Sequence, residues 1–371
     1  MNVPLLDLKA QYRAIKSEIL SVLESVCDEQ GFVLGPRVAD FEKVTAQYIG
    51  SRYAIGCASG SDALLLALMA LGVKAGDEVI TVPFTFFATA GAISRLGAKP
   101  VFVDIRPDTF NIDPNQIERA ITSRTKAVIP VHLFGQCADM AAINDIARRK
   151  KIRVIEDACQ AIGSAQQGKR AGVLGHVGCF SFFPTKNLGG FGDGGIMTTD
   201  DQGLAESLSM LRVHGSRVRY LHEAVGINSR LDALQAAILH VKLKYLDQWN
   251  EGRRRNADRY QRLFTQANLL DHITLPPTAS GNFHVYNQYT VRVPRRDELR
   301  EFLREKGIGS EVYYPLPMHL QNCYQDLGHR KGSFPLSEQA AQEVLSLPIY
   351  AELTEAQQSY VVEMMAEYYR R

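Results

Sequence analysis

The chain has 371 residues, 46% of them hydrophobic and 22% charged, enough for a large buried core and about two domains at roughly 150 residues each. Its 42 Lys and Arg against 40 Asp and Glu leave a formal net charge of +2, which excludes a long-range field that would hold nucleic acid or an anionic membrane, so any anionic ligand has to be held locally. The six cysteines, Cys27, Cys57, Cys137, Cys159, Cys179 and Cys323, show no CxxC or zinc-type spacing and read as reduced, mostly buried thiols, with no metal expected.

In chain order, the opening stretch MNVPLLDLKAQYRAIKSEIL carries Asp7 and Lys9 and has no apolar segment followed by a small-residue cleavage site, and no run of ~20 apolar residues occurs later. Neither export nor membrane insertion is expected, and the expected compartment is the cytoplasm. Residues 1–30 read as an N-terminal helical arm. From about 53 to 212, short apolar runs alternate with helical patterns: EVITV (78–82), PVFVDI (100–105), AVIPV (127–131), RVIED (153–157), CFSFF (179–183) and GGIMTT (194–199). Runs that are apolar throughout, separated by helices such as 139–150, predict strands buried on both faces. An α/β fold with a mostly parallel central sheet follows. Residues 230–266 predict one long helix. Beyond it, QYTVRV (288–293), the helical RDELREFLREKG, the strand-like IGSEVYY (308–314) and two terminal helical stretches predict a smaller α+β domain. The expected division is a large domain over 1–240 and a small one over 241–371.

Ligands of open α/β sheets sit at the carboxyl ends of the strands, and three segments bring unusual chemistry there. In CASGSDALLLALMAL, the small residues Ser59, Gly60 and Ser61 precede a strongly helical run, so free N–H groups at the positive helix end can hold a phosphate. Taken alone, the same pattern is also an ordinary N-cap. In RVIEDACQAIG, Asp157 follows directly on a buried-type strand and needs a cationic or hydrogen-bonding partner, because burial unpaired is costly. In CFSFFPTKNLGGFGDGG, Ser181 lies at a strand, Lys186 follows in the next loop, and glycines at 189, 190, 192, 194 and 195 let the backbone pass close to a ligand. Together the three have one chemical meaning. Pyridoxal phosphate (PLP) needs an amine with which its aldehyde condenses, an anion that keeps its pyridine nitrogen protonated, and a cradle for its phosphate. Lys186, Asp157 and the Gly60–Ser61 helix start supply these in turn.

The stretches PLLDLKAQY, GPRVADFE, SGSDAL, VPFTFFATAGAI, GAKPVFVDI, VHLFGQCADM, VIEDACQAIG, FSFFPTKNLGGFGDGG, GINSRLDALQAA and YYPLPMHLQ span nearly the whole chain. Through them it resembles, in the family's own order, the sugar aminotransferases of the DegT/DnrJ/EryC1/StrS family. The resemblance implies the fold of aspartate aminotransferase (PLP fold type I) and a cofactor that alternates between PLP and pyridoxamine phosphate. It implies that Lys186 bonds covalently to the cofactor and that Asp157 pairs with its pyridinium nitrogen. It places Phe86 over the ring face and Gln160 near the ring hydroxyl, with Ser181, Gly60 and Ser61 at the phosphate. Asn228, in GINSR, would reach the phosphate of a partner subunit, which makes the expected assembly a homodimer with shared active sites. Some relatives carry His at the lysine position and dehydrate their substrates, so Lys186 implies transamination. PFTFF does not by itself single out Phe86 over Phe84 or Phe87, and His132 and His214 fit no metal pattern and read as structural.

The resemblance is closest to enzymes that aminate C3 of a nucleotide-linked sugar with glutamate as amino donor. The substrate it implies is either UDP-linked 3-keto-N-acetylglucosaminuronate or a dTDP-linked 3-keto-6-deoxyhexose. Arg230 would pair bidentately with a sugar carboxylate, Tyr313 and Tyr314 would hydrogen-bond sugar hydroxyls, and His319 in PMHLQ matches the deoxyhexose enzymes. A 4-keto sugar and a non-catalytic, PLP-binding regulator of the same fold stand as alternatives. A nicotinamide oxidoreductase does not, because GGFGDGG follows Lys186 midway through the sheet instead of opening a first βαβ unit.

Overall fold

The structure is a computed structural model that describes all of residues 1–371. Its centre is a seven-stranded sheet of β1 (Tyr53–Cys57), β2 (Glu78–Thr81), β3 (Lys99–Phe102), β4 (Thr125–Val128), β5 (Arg153–Asp157), β6 (Val177–Ser181) and β7 (Gly195–Thr199), in the order β1-β7-β6-β5-β4-β2-β3. Neighbours from β6 across to β3 are parallel, whereas β7 runs antiparallel to both β6 and β1. Successive strand residues point to opposite faces, and both members of each pair are buried: Val79 and Ile80, Val154 and Ile155, Cys179 and Phe180, Ile196 and Met197. Leu64, Leu66 and Leu208 cover Val79, Ile155, Cys179 and Met197 on one side. On the other, Phe41, Leu231 and Leu239 pack on Phe180 and Ile196, while Ile80 and Val154 join a cluster that extends to Tyr260, Val291 and Leu303 near the C-terminus. This two-sided burial is the reason the strands read as unbroken apolar runs.

All six predicted strands form, RVIED to the residue and the other five with an end displaced by up to three residues. The seventh, YAIGC, is rich in small residues and gives little apolar signal; its pairing with β7 makes it the sheet edge. The long helix expected over 230–266 is two helices, Ala233–Leu243 and Leu246–Gln266. Asp232 is still extended, bridged to Val33. The break at Lys244–Tyr245 lets the first helix pack Ile238 and Val241 on the N-terminal arm, while the second turns Tyr260 and Phe264 into the C-terminal core. The strand expected over 308–314 does not form. Ile308 and Glu311 make single bridges to different partners, Val3 and Ser346, so no ladder propagates; the small two-stranded sheet pairs Tyr289–Arg292 with Val344–Leu347 instead.

The arm is the helix Leu8–Glu29, capped by Asp7, whose Oδ1 accepts from the N–H groups of Lys9 and Ala10 at 2.9 and 3.0 Å. All six cysteines are free thiols, but only Cys57, Cys137 and Cys179 are buried; Cys159 is half-buried and Cys27 and Cys323 are exposed. No helix is long and apolar enough to cross a membrane.

Candidate active site

Ser181 at the end of β6 and Cys57 at the end of β1 both pair with Gly195 at the start of β7, so the helix that follows β1 starts beside β6. The approach is close: a Cβ at Gly60 would stand 2.6 Å from Ser181 Cβ and 2.9 Å from Cys159 Sγ, which leaves room for glycine alone. The helix Gly60–Ala70 is capped by Ser59, whose Oγ accepts from Asp62 N at 3.1 Å, while the N–H groups of Gly60 and Ser61 have no partner in the chain. Ser229 donates its hydroxyl to Asp62 Oδ2 at 2.7 Å and accepts from Ala58 N at 3.1 Å, tying the GINSR segment to this cradle. Of its neighbours, Asn228 is exposed and Arg230 half-buried. The result is a candidate anion site built from backbone dipoles, which needs no net positive charge on the chain.

Lys186 sits in a tightly held loop. Its N–H donates to Phe183 O at 2.9 Å, Gly190 N donates to Phe182 O at 2.8 Å, and a Cβ at Gly189 would meet Pro184 O at 2.2 Å. From the helix Ala233–Leu243, the buried Lys242 donates its ammonium to Gly189 O at 2.5 Å, and Gln235 Oε1 accepts from Phe191 N at 2.7 Å. The Lys186 amine itself has no hydrogen-bonding partner, and burial pulls it below the ordinary lysine range, against the opposing influence of Cys159 and Asp157. A desolvated amine held free is a nucleophile and a proton acceptor.

Asp157 is 6% exposed. Its Oδ2 accepts from Thr89 Oγ1 at 2.7 Å and its Oδ1 from Cys159 N at 3.2 Å, and the Thr85 hydroxyl lies 3.0 Å from that of Thr89. No basic side chain of the chain pairs with this carboxylate. Gln160 is fixed at both ends, its Oε1 accepting from Phe134 N at 2.7 Å and its Nε2 donating to Tyr314 OH at 3.0 Å. The structure also separates the three phenylalanines of PFTFF. Phe84 is fully buried, Phe87 pairs with Tyr324, and Phe86, 57% exposed, tilts toward Tyr314 with ring centres 6.3 Å apart. Tyr313 is half-buried beside Tyr314. His319 is buried against Phe334, with Nε2 bonded to Glu338 Oε1 at 3.0 Å; in this position it is closed off from a substrate.

Thr89, Ser229 and Lys242 are absent from the sequence reading, and so is Glu156. This fully buried carboxylate accepts from the N–H groups of Gly172, Leu174 and Gly175 at 2.6–2.8 Å and from His132 Nε2 at 2.9 Å. Because His132 Nδ1 accepts from Ala138 N at 3.1 Å, its proton lies on Nε2, which makes His132 a neutral donor with a structural task. Glu156→Gln aims an amide N–H at one of these donors and should cost about 2–4 kcal/mol. Urea unfolding checks this, and a loss below ~0.5 kcal/mol, the range of an ordinary surface change, would refute the pairing.

The site thus contains a buried acid without a cation, a desolvated amine without a partner, and unpaired helix N–H groups beside a close-packed glycine. A ligand that is at once a ring cation, an aldehyde and a phosphate answers all three, and PLP has that chemistry. The residues present therefore fit the group.

The profile described as the DegT/DnrJ/EryC1/StrS aminotransferase family matches residues 13–366. The chain is 55% identical to a "Pleiotropic regulatory protein" of Geobacillus stearothermophilus, covering 100% of the chain and 99% of the relative. It is 44% identical to dTDP-3-amino-3,4,6-trideoxy-alpha-D-glucose transaminase of Streptomyces venezuelae, covering 100% and 97%. It is also 44% identical to UDP-2-acetamido-2-deoxy-3-oxo-D-glucuronate aminotransferase of Pseudomonas aeruginosa, covering 95% and 97%. Among solved structures it is similar to S. venezuelae DesV in complex with a ketimine intermediate, at 44% identity and TM-score 0.96 over 100% of this chain and 99% of that one. It is likewise similar to NtdA from Bacillus subtilis with bound cofactor PMP, at 36% identity and TM-score 0.93 over 100% and 86%.

Proposed function

The chain belongs to the DegT/DnrJ/EryC1/StrS aminotransferase family, and from that premise we propose that it transfers an amino group from glutamate to the C3 ketone of a nucleotide-linked sugar. It is a PLP-dependent aminotransferase. The observation that supports the reading is that Lys186 and Asp157 are both buried, the amine without a hydrogen-bonding partner and the carboxylate without a basic one. When bound, the cofactor supplies a carbonyl that carries the amino group and an electron-withdrawing ring. The chain's residues do the rest. The unpaired N–H groups of Gly60 and Ser61, with Ser181 beside them, bind the phosphate. Asp157, held in one orientation by Thr89, keeps a proton on the ring nitrogen. Phe86 and the Gln160–Tyr314 pair confine the ring. Lys186 Nζ, once free, takes the proton from the donor's Cα and in the second half-reaction delivers one to C3 of the sugar.

Tyr313 and Tyr314 would hydrogen-bond sugar hydroxyls in either branch of substrate, so the choice between branches rests on Arg230. Arg230 has no side-chain partner in the chain and fits a sugar carboxylate as a bidentate fork, which favours a UDP-linked 3-keto uronic acid over a neutral dTDP-linked deoxyhexose; buried His319 adds nothing to the deoxyhexose side. A panel of nucleotide-linked 3-amino and 4-amino sugars, run in reverse while the cofactor's visible absorption is followed, tests this. Conversion of 4-amino sugars alone would overturn the C3 assignment. One observation favours a regulatory reading, the name carried by the Geobacillus relative. A regulator that only binds PLP would still use Lys186 to capture it, so the lysine does not decide between them, and bleaching of the visible band by glutamate separates the two.

We further propose a cytoplasmic homodimer with a division near residue 240, supported by six free cysteines and by the helix break at Lys244–Tyr245. The hairpin around Ser216–Val218 and Leu221–His222 leaves Tyr220 77% and Val225 92% exposed, apolar surface that a second copy would cover. Asn228, exposed beside it, would then reach the partner's phosphate cradle. Mixing inactive Lys186→Ala with an inactive Asn228 variant should restore part of the activity through hybrid dimers. No recovery where subunits demonstrably exchange would refute shared sites.

A further inference from the structure

Arg253, on the helix Leu246–Gln266, is 5% exposed. Its Nη1 donates to the carbonyls of Tyr286, Asn287 and Ile349 at 3.0, 3.3 and 3.0 Å. No carboxylate pairs with it; Glu352 acts on it only at a distance, and burial brings the guanidinium down to about 10, so it remains a cation at neutral pH. A buried charge without a counter-ion is costly. Arg253 lines a cavity of about 70 Å³ together with Thr185, Asn287, Gln288, Tyr313 and Ser346. The amide groups of Asn287 and Gln288 have no protein partner at their N–H ends, and their buried oxygens have none either. Thr185 and Tyr313 are the chain neighbours of Lys186 and of the tyrosine bonded to Gln160, which brings the cavity near those residues, although neither Lys186 nor Asp157 lines it.

We propose that this cavity receives a carboxylate of the amino donor, a deepening of the aminotransferase reading on which it rests. A buried water takes roughly 10–15 Å³ of such space, so the cavity admits a small planar head group with a water and excludes a sugar ring. A planar guanidinium flanked by two planar amides matches a carboxylate, which accepts in one plane. Bare amide oxygens beside it are met by that water, while the donor's amino group stays at the cofactor. The α-keto acid product would occupy the same place, and Arg230 is left to read the sugar.

The test uses holoenzyme and glutarate, a dicarboxylate that cannot react, with uncharged glutaramide as control. Calorimetry should show glutarate binding and no glutaramide binding. Asn287→Asp, which places a carboxylate against Arg253, should weaken glutarate by about tenfold or more through repulsion of like charge and should raise KM for glutamate but not for the nucleotide sugar. Gln288→Glu brings the same charge from another wall and serves if Asn287→Asp does not fold. Unchanged glutarate binding in a folded variant, or none in wild type, overturns the proposal. A rise in KM for the sugar alone overturns it in favour of a sugar carboxylate. If glutamate fails to bleach wild type while glutarate binds and the variant does not bind it, the glutamate reading fails and carboxylate binding stands.

Discussion

Lys186→Ala is expected to lower turnover by at least about 10³-fold while the fold and much of the cofactor binding persist. The amine has two tasks, capture of the cofactor and proton transfer at Cα and C3, and the buried lysine nearby cannot stand in, because Lys242 is committed to Gly189 O at 2.5 Å. Steady-state rates with glutamate and a nucleotide sugar measure the loss. Multiple turnover within tenfold of wild type would sink the assignment. The same variant predicts a pH effect in the cofactor-free protein. Burial lowers the folded-state pKa of Lys186, so between that value and ~10.4 the unfolded chain binds more protons than the folded one, and stability rises with pH. Below that window the buried ammonium is a fixed penalty; above it both states are neutral. Removing the amine should abolish this part of the rise toward pH 10. A wild type and variant with parallel stability curves would show that the amine is solvated.

Asp157→Asn is expected to cost about 100-fold or more in rate, since an opposite charge at contact distance shifts a pKa by 1–3 units and its loss returns that shift to the ring nitrogen. The change is nearly isosteric. The amide oxygen can still accept from Thr89 and the phosphate cradle is untouched, so cofactor should bind, more weakly and with an altered visible band. Rates close to wild type would reduce Asp157 to a cap for the turn at Cys159. Without cofactor the amide N–H would face Cys159 N, which donates to Oδ1 in wild type, so the variant should be less stable by about 1–3 kcal/mol, which thermal unfolding of both forms would check.

Much of this was legible in the residues. The strands of the sheet interior are unbroken apolar runs because both faces are covered, and RVIED coincides with β5 to the residue. The order of phosphate cradle, acid and lysine was legible because few other ligands need all three. YAIGC was not, since its state depends on pairing with β7, and neither was the failure of IGSEVYY to become a strand, which is decided by two bridging partners far apart in the chain. Three adjacent phenylalanines in one stretch have the same composition signal, and only packing made Phe84 core and left Phe86 open to the site.

By itself, then, the sequence determined the fold class, the candidate reactive residues and the charge balance that asks for a backbone anion site, because apolar periodicity, capping and functional-group chemistry act over a few residues. The tertiary structure alone decided how those groups are poised. Thr89 and Asp157 are 68 positions apart, Lys242 and Gly189 are 53, and Ser229 and Asp62 are 167, and no local pattern signals such a pair. Desolvation is the same kind of quantity. The lowered Lys186 amine and the unpaired Arg253 cation exist only once distant segments have closed around them and excluded water, which a linear pattern of residues does not contain.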